Sequence, residues 1–464
     1  MGIYTIYYPI WKEALLLAWP VFLNHIFTTA MRTTDMLLMG FFGPAAVTAV
    51  GLGDVWERIV LRIGLGLGAG SISLISQESG IDAKISARNA ETVLTQILIT
   101  GAIAGIPFMI IGWLIPEQLI EILGAAPEVI VLAAQYLLII FSAAPFRIIS
   151  LISARALQGS GDTRTPMIIG IISNVVNIGL SAGLALGIGF FPELGVIGVG
   201  WGTFTAKFIA AILYIIIFLL PRSKLNLRYP REGWDFTITK QLLIVSIPRS
   251  LQGGYQSLIA FPFNSLVLLF GTEAAAAYHI ARRIQQQLMA PLHRSYGTVA
   301  TILTGNRLGQ KGYQDSRKVA KGMLWLTAIT ITFIGTNLFI FAPGLVKIFT
   351  EDAATIPFAV GFLRALSLGA PIIAVYRVLS GVLTGAGDTK TPFYGMVISQ
   401  TLFKMGLSYI LSVTLGLNIT GIFIGLICDY IVQTFWVLRR FRTNKWITDA
   451  REMINDRHRK AHSD

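Results

Sequence analysis

The sequence has little of what disulfide-bonded domains, metal sites and soluble surfaces require. It contains one cysteine, Cys428, so no disulfide can form within the chain. Within the apolar runs His25, His279 and His293 stand far apart, without an HExxH motif or an i,i+4 pair among them, which argues against metal-dependent chemistry. Only 13 % of the residues are charged. These absences exclude a disulfide framework, and they predict neither an enzyme nor a cofactor.

Apolar residues dominate instead, since 54 % of the 464 residues are hydrophobic. This composition predicts an all-α polytopic membrane protein rather than a soluble multidomain one. The first apolar run begins near Trp11 without an A-x-A-like cleavage site, so we expect it to remain as the first span. The net charge is +13, but the bases mostly flank apolar runs. They therefore indicate membrane topology and not a nucleic-acid partner.

Twelve apolar runs are each long enough to cross a ~30 Å hydrocarbon core. They cover residues 12–41, 46–76, 91–115, 128–157, 165–188 and 196–220, then 239–270, 274–304, 318–344, 353–383, 391–415 and 419–438. An even number of spans per half means that both halves insert with the same orientation. We expect one six-helix lobe at 1–220, an interlobe linker at 221–238, a second lobe at 239–438 and a basic tail at 439–464.

Basic residues gather in the loops on one side of the predicted membrane. The loops near residues 84–88, 164, 222–231, 307–318 and 390 are basic, as is the tail, whereas the opposite loops are acidic apart from Lys347. The positive side of a membrane protein faces the cytoplasm. We therefore expect both termini, the linker and the tail to be cytoplasmic, in a multi-pass protein of the plasma (inner) membrane.

One stretch occurs twice, as QGSGDTRTP at 158–166 and as TGAGDTKTP at 384–392. Its two aspartates, Asp162 and Asp388, are related by a numbering offset of 388 − 162 = 226, and Pro20 and Pro248 repeat at the similar offset of 248 − 20 = 228. Either copy alone could be a tight corner of any membrane protein, but two in register indicate a duplicated half-chain. The corner residues are Gly159, Gly161, Asp162, Pro166, Gly385, Gly387, Asp388 and Pro392.

The glycines of each corner allow a tight turn between two helices. Thr165 and Thr391 are predicted as the N-caps of the helices that follow. Pro166 and Pro392 would then occupy the first helical position, where a missing N–H is tolerated.

The duplicated corner resembles that of the MATE (multidrug and toxic compound extrusion) family of secondary transporters, in the MOP flippase superfamily. Further segments resemble family motifs in order and spacing, namely TDM at 34–36, SQ at 76–77, ILGAAPEV at 122–129, LGVIG at 194–198 and NRLG at 306–309. The resemblance covers essentially the whole chain. It implies two six-helix lobes forming a V around a central cavity, with export driven by entry of H⁺ or Na⁺.

Asp35 is the leading candidate for cation coupling, because a carboxylate at membrane depth is costly and therefore faces protein or water. It lies about 12 Å before the exit of the chain at Gly43-Pro44, at 1.5 Å per residue. Such a carboxylate can bind a proton or Na⁺. Alternatively, Arg32 lies three residues earlier on the same helix face and could hold Asp35 in a structural ion pair.

The family resemblance implies partners for Asp35 in the first lobe. Tyr136, Asn177 and Thr203 match three of them, whereas the second aspartate of the family falls on Ser181 here. That loss favours H⁺ over Na⁺, which needs several oxygen ligands. In the second lobe, the places where the family often has acidic groups are Gln256 and Ile373, and the repeat-mate of Asp35 is close to Asn264. We therefore expect coupling in the first lobe only.

Bases outnumber acids at membrane depth, which predicts a positive cavity and an anionic or zwitterionic substrate. The alternative is an interior network of paired charges without a substrate role. Lys404 and Asp429, on successive antiparallel helices, are predicted as a structural ion pair. The candidate cavity or gate residues are Arg32, Asp54, Glu57, Arg58, Arg62, Gln256, Asn264, Arg282 and Arg283.

Asp54 and Arg282 hold equivalent places in the two halves, at the offset of 282 − 54 = 228, and could form a gate between the lobes. Asp54 could instead pair with Arg58, four residues on.

The function that these features predict is an antiporter that exports small organic molecules by alternating access, coupled to H⁺ rather than Na⁺. The alternative is a flippase for lipid-linked precursors of the same superfamily. A channel fits the duplicated halves less well. The expected partners are a small-molecule substrate, H⁺ or Na⁺ and the lipid bilayer, and we expect a monomer.

Overall fold

The computed structural model describes residues 3–81, 83–221, 223–227, 233–310 and 312–460, so the predicted linker at 221–238 lies partly outside the described residues. The helices of the first half are α1 (Ile3–Gly40), α2 (Gly43–Glu78), α3 (Ala83–Leu114), α4 (Pro116–Glu121), α5 (Pro127–Ser142), α6 (Ala144–Gly159), α7 (Arg164–Leu186) and α8 (Val196–Leu219). Those of the second half are α9 (Phe236–Leu268), α10 (Thr272–Leu288), α11 (Ala290–Gly309), α12 (Tyr313–Ile340), α13 (Ala342–Lys347), α14 (Thr355–Gly385), α15 (Lys390–Ser399), α16 (Asn418–Arg442) and α17 (Lys445–Lys460).

The all-α fold with twelve spans is confirmed. In the described part of the chain, nine helices are long and apolar enough to cross a membrane, and α5 with α6 forms a tenth span bent by 44°. The seventh and eighth spans, α9 and α10 with α11, complete the twelve. Both are less apolar, because they contain side chains such as Arg249, Arg282 and Arg283.

Two predicted spans are broken rather than continuous. The fourth divides at Ala143, just before Pro145, and the eighth divides at Met289, just before Pro291. Each proline falls in the first turn of the helix after the break, where its missing N–H costs no helical hydrogen bond.

The duplicated corners have the same hydrogen bonds in both halves. The N–H of Asp162 donates to Leu157 O at 2.9 Å and that of Asp388 donates to Leu383 O at 2.8 Å, which is the pattern that closes a helix through a left-handed residue. That residue is Gly161 in one corner, with φ +81°, and Gly387 in the other, with φ +86°. The second glycine of each corner is therefore required by the backbone.

The predicted N-caps, Thr165 and Thr391, were wrong, because in each corner the capping group belongs to an aspartate and not to the threonine. The capping group of α7 is the Asp162 carboxylate, which accepts hydrogen bonds from Thr165 N at 3.0 Å and Thr165 Oγ1 at 2.6 Å. Asp388 accepts the same two bonds from Thr391, at 3.0 and 2.8 Å. Since α7 begins at Arg164 and α15 at Lys390, Pro166 and Pro392 are third and not first in their helices.

Asp352 repeats this Asp-x-x-Thr arrangement ahead of α14. Its carboxylate accepts hydrogen bonds from the Thr355 hydroxyl and from the backbone N–H groups of Ala354 and Thr355. These bonds favour the charged form and hold the pKa of Asp352 below its usual value. The same Asp-x-x-Thr arrangement therefore precedes α7, α14 and α15.

By its internal contacts the chain forms two compact units, residues 23–250 and residues 1–22 with 251–464. Helices α1 and α9 each divide between the two units, at points related by the offset of 250 − 22 = 228. The start of α1 packs inside the second unit, where Ile10, Ala14 and Ala18 join its apolar core. The start of α9 packs inside the first unit, where Gly70 on α2 leaves room for the Leu242 side chain.

The eleventh span changes from α-helix to π-helix at Gln400–Leu407, and again at Ile410–Thr414. Gly202 packs closely on Ser181 in the first half, and Gly425 packs closely on Ser408 in the second. These two serines are related by an offset of 408 − 181 = 227, which exceeds the offset of the two corners by one. The π-helix therefore contains one residue more than its counterpart, the usual origin of such a segment.

The described part of the tail forms the helix α17, which packs against the second unit. Trp446 and Ala450 are fully buried in the apolar core there. Arg440 connects this helix to the second corner, because its guanidinium contacts Asp388 at 2.8 Å and also Asp449.

Candidate functional site

A polar cavity lies inside the first unit, between five of its six spans. Its volume is 600 Å³. Its walls come from α1, α2, α5, α6, α7 and α8, and the charged or polar side chains among them are Asn24, Thr28, Arg32, Asp35, Asp54, Glu57, Arg58, Tyr136, Arg147, Ser150, Ser173, Asn174, Thr203, Lys207 and Tyr214. Several predicted site residues therefore line one space.

Four bases and three acids give this cavity its charge. Glu57 on α2 and Arg147 on α6 form an ion pair, and their side chains are 20 % and 11 % exposed. Arg32 and Arg58 are exposed. Lys207 is half-buried, so it and Arg147 are the two bases in the interior of the cavity.

Asp35 lines the cavity from α1, where the sequence predicted a coupling carboxylate. Its Oδ1 atom is buried and has no hydrogen-bond partner among the described residues. Arg32 and Lys207 are bases that line the same cavity as Asp35. The alternative of a structural ion pair between Arg32 and Asp35 stays a prediction.

The other residues predicted in the first lobe line this cavity or contact a residue that lines it. Asn177 Nδ2 donates to Thr203 Oγ1 at 3.0 Å and thereby connects α7 to α8. Tyr136 fits between two glycines, because a Cβ on Gly53 would lie 2.6 Å from its ring and one on Gly200 would lie 3.3 Å from it. The ring is therefore held at the cavity wall by close helix packing.

Ser181 stands where the family resemblance implies a second carboxylate. It is fully buried, and Gly202 packs so closely that a Cβ there would lie 2.6 Å from the Ser181 backbone nitrogen. This contact leaves little room for a larger side chain at 181.

The predicted site residues of the second half lie in the second unit, residues 1–22 with 251–464. Gln256 Nε2 contacts Met396 Sδ at 3.3 Å, and Asn264 Oδ1 is buried without a hydrogen-bond partner in the described part of the chain. Arg282 and Arg283 are neighbours on α10. A gate between Asp54 and Arg282 stays a prediction.

Lys404 and Asp429, the predicted ion pair, each have other close neighbours. Asp429 Oδ1 accepts hydrogen bonds from Ser399 Oγ at 2.7 Å and Gln433 Nε2 at 2.8 Å. The Lys404 ammonium lies 4.7 Å from the centre of the Phe263 ring. These contacts supply each charge with a neighbour inside the second unit.

Two charged residues of the cavity, Arg147 and Lys207, were missing from the predicted site. Both stand out in the sequence as bases at membrane depth, and Lys207 lies four residues after Thr203, on the same face of α8. That i,i+4 spacing was the signal that could have identified Lys207. For Arg147 the sequence gives no such signal, because its partner Glu57 lies on a helix far from it along the chain.

Twelve spans in two duplicated halves, with a charged cavity inside the first half, define a polytopic secondary transporter. The MatE family model matches the chain twice, at residues 20–182 and 248–410. The chain belongs to the MatE family.

Relatives and solved structures match at full length. The chain is 27 % identical over 443 residues to the probable multidrug resistance protein NorM of Thermotoga maritima, covering 94 % of this chain and 93 % of NorM. It is 25 % identical over 423 residues to the probable multidrug resistance protein YoeA of Bacillus subtilis, covering 90 % of each. A crystal structure of MATE in the bent conformation superposes with a TM-score of 0.86 at 21 % identity, over 95 % of this chain and 97 % of that one.

Proposed function

We propose that this protein is an antiporter that exports small organic molecules in exchange for protons, with Asp35 as the proton-binding group. The observation that carries the proposal is the buried, unbonded Oδ1 atom of Asp35 at the wall of the cavity. A carboxylate oxygen without a hydrogen-bond donor among the described residues has free capacity to receive a proton. The multidrug names of the relatives support efflux of small organic molecules.

Coupling follows if proton and substrate compete for Asp35. A cationic group of the substrate gains most from the charged carboxylate, and a proton that enters removes that charge. The two ligands then bind alternately, and each favours a different state of the transporter. Alternating access of the cavity to the two sides of the membrane converts this competition into export.

A zwitterionic substrate fits both the charge of the cavity and this competition. Its volume of 600 Å³ is in the range of small-molecule sites. Asp35 can receive a cationic group, and the exposed bases Arg32 and Arg58 remain for an anionic one. Arg147 is already paired with Glu57 and is less available.

We further propose that the protein lies in the plasma (inner) membrane as a monomer, with both termini cytoplasmic. The excess of bases in the loops near 164, 307–318 and 390 and in the tail supports this orientation. Each half, at 1–220 and 239–438, then contributes six spans, with the linker and the basic tail on the cytoplasmic side.

The test is efflux from proteoliposomes under an imposed pH gradient, with cationic dyes, zwitterions and organic anions as substrates. Asp35→Asn keeps the shape of the side chain but cannot bind the proton in the same way. We expect this variant to lose gradient-driven export while its expression stays near normal. Undiminished antiport by Asp35→Asn would refute the role of Asp35.

The matched control is Asp429→Asn, which alters a buried carboxylate in the second unit. Ser399 and Gln433 already donate hydrogen bonds to Asp429, so this carboxylate is occupied. We expect Asp429→Asn to retain gradient-driven export. Equal loss in both variants would indicate damage to the fold rather than to coupling.

A further inference from the structure

We propose that the Lys207 ammonium occupies the cation position beside Asp35 and thereby excludes Na⁺ from the cavity of the first unit. Lys207 would then determine the ion specificity of the transporter. This inference rests on the proposed function, because it explains why a proton and not Na⁺ is exchanged. The lysine is then a built-in cation that a bare metal ion must displace, whereas a zwitterionic substrate carries an anionic group that offsets the repulsion between its own cationic group and Lys207.

The backbone of Lys207 is fixed at the cavity wall from two sides. One turn earlier on the same face of α8, Thr203 Oγ1 accepts a hydrogen bond of 3.0 Å from Asn177 on α7. The carbonyl oxygen of Lys207 itself accepts one of 3.4 Å from Ser150 Oγ on α6. The side chain lines the same cavity as Asp35. The ammonium group of Lys207 and the carboxylate of Asp35 therefore share one cavity.

The other charges of the cavity leave Lys207 as the natural counter-ion of Asp35. Arg147 is paired with Glu57. Arg58 lies one helical turn after Asp54 and is exposed, as is Arg32. Lys207, by contrast, is half-buried in the interior of the cavity.

The oxygen atoms around Asp35 would otherwise suit a small cation. Thr203 and Tyr136 line the cavity, and Asn177 Oδ1 is buried without a hydrogen-bond partner in the described part of the chain. Hard cations bind to sets of this kind, of carboxylate, amide and hydroxyl oxygens. Asp35 is the one carboxylate of this particular set, because Ser181 stands at the second position and Gly202 closes the space beside it.

A second cation near an ammonium group is repelled strongly. Two like charges about 5 Å apart at an effective dielectric constant of about 20 weaken binding by roughly 300-fold. Removal of the Lys207 charge should therefore create Na⁺ affinity where the wild-type protein has none. A gain of binding is a sharper outcome than a loss of activity.

The experiment measures thermal unfolding of the purified protein in NaCl and in choline chloride at equal concentration. We expect the wild-type midpoint to be the same in both salts. In Lys207→Met we expect Na⁺ to raise the midpoint by about 2 °C, since a ligand that binds only the folded state stabilises it. In proteoliposomes the same variant should also gain export driven by a Na⁺ gradient.

Two variants serve as controls. Lys207→Arg retains the positive charge and should show no response to Na⁺. Adding Asp35→Asn to Lys207→Met should abolish the gained response, because the ion loses its carboxylate. If Lys207→Met does not fold, Lys207→Gln replaces it, and binding of radioactive Na⁺ to the wild-type protein gives a second measurement that must be negative.

The inference is overturned if Na⁺ already binds or stabilises the wild-type protein, or if Lys207→Met and Lys207→Gln fold and neither responds to Na⁺. Its failure is distinct from failure of the proposed function. The unfolding measurement needs no transport, whereas the proposed function fails if Asp35→Asn still exports substrate under a pH gradient.

Discussion

At the scale of single residues, the ion pair of Glu57 and Arg147 has the largest expected effect on stability. Both side chains are mostly buried, so removal of one charge leaves the other without compensation. We expect Glu57→Gln or Arg147→Met alone to cost about 3–5 kcal/mol of unfolding free energy. The double variant should cost clearly less than the sum, because no charge is then left unpaired.

Thermal unfolding of the two single variants and the double variant in detergent measures this coupling. Arg58→Met is the matched control, since it removes an exposed base from the same cavity and should change stability little. Additive losses in the double variant would mean that Glu57 and Arg147 act independently.

The sequence supplied the candidate site only in part. Motif resemblance identified Asp35, Tyr136 and Thr203, which do line one cavity in the structure. The pairing of Arg147 with Glu57 could not be read from the chain, because it depends on how α2 and α6 pack. Helical periodicity shows that Lys207 shares a face with Thr203, but it does not show that this face points to Asp35.

At the scale of secondary structure elements, the first glycines of the two corners make different contacts although they are equivalent in sequence. A Cβ on Gly385 would lie 2.5 Å from the backbone oxygen of Thr301 on α11. On Gly159 the nearest atom would be the Ile72 backbone oxygen on α2, at 3.1 Å. Helix α14 therefore packs more closely on its neighbour than α6 does.

We expect Gly385→Ala to destabilise the protein by about 1–3 kcal/mol, as overpacking does, because a backbone atom cannot give way. Gly159→Ala should be much milder, since a small shift suffices and alanine favours the helix by about 1 kcal/mol. The melting temperature and the monodisperse fraction in detergent measure both variants. Equal losses in the two would contradict the difference in packing.

The elements were largely predictable, and the exceptions have local causes. Hydrophobic runs predicted all twelve spans, because a membrane requires long apolar helices. The breaks at Ala143 and Met289 lie within apolar runs and leave little trace in hydropathy. The additional residue in the π-helix at Gln400–Leu407 was also hidden, because the corners precede it and keep their own offset of 388 − 162 = 226.

At the scale of the whole molecule, orientation in the membrane follows from the distribution of bases and can be tested with cysteines. In a Cys428→Ser background, Arg164→Cys and Lys390→Cys place thiols at exposed positions of the two corners. We expect both to resist an impermeant thiol reagent in intact cells and to react after permeabilisation.

Glu193→Cys and Glu351→Cys provide the opposite control, since both residues are exposed and belong to the acidic loops. They should react in intact cells. Labelling of the corner cysteines in intact cells would show that the orientation is opposite to the proposed one.

The division of α1 between the two compact units also sets an order of assembly during synthesis. Residues 1–22 belong to a unit whose remaining part, 251–464, is made only after the whole of the other unit, 23–250. At translation rates of roughly 5–20 residues per second, this delay is on the order of 10 s or longer. During that time the face of Ile10, Ala14 and Ala18 has only lipid or the insertion machinery as neighbours. The start of α1 is therefore made before α2 to α8 but packs into its own unit after them.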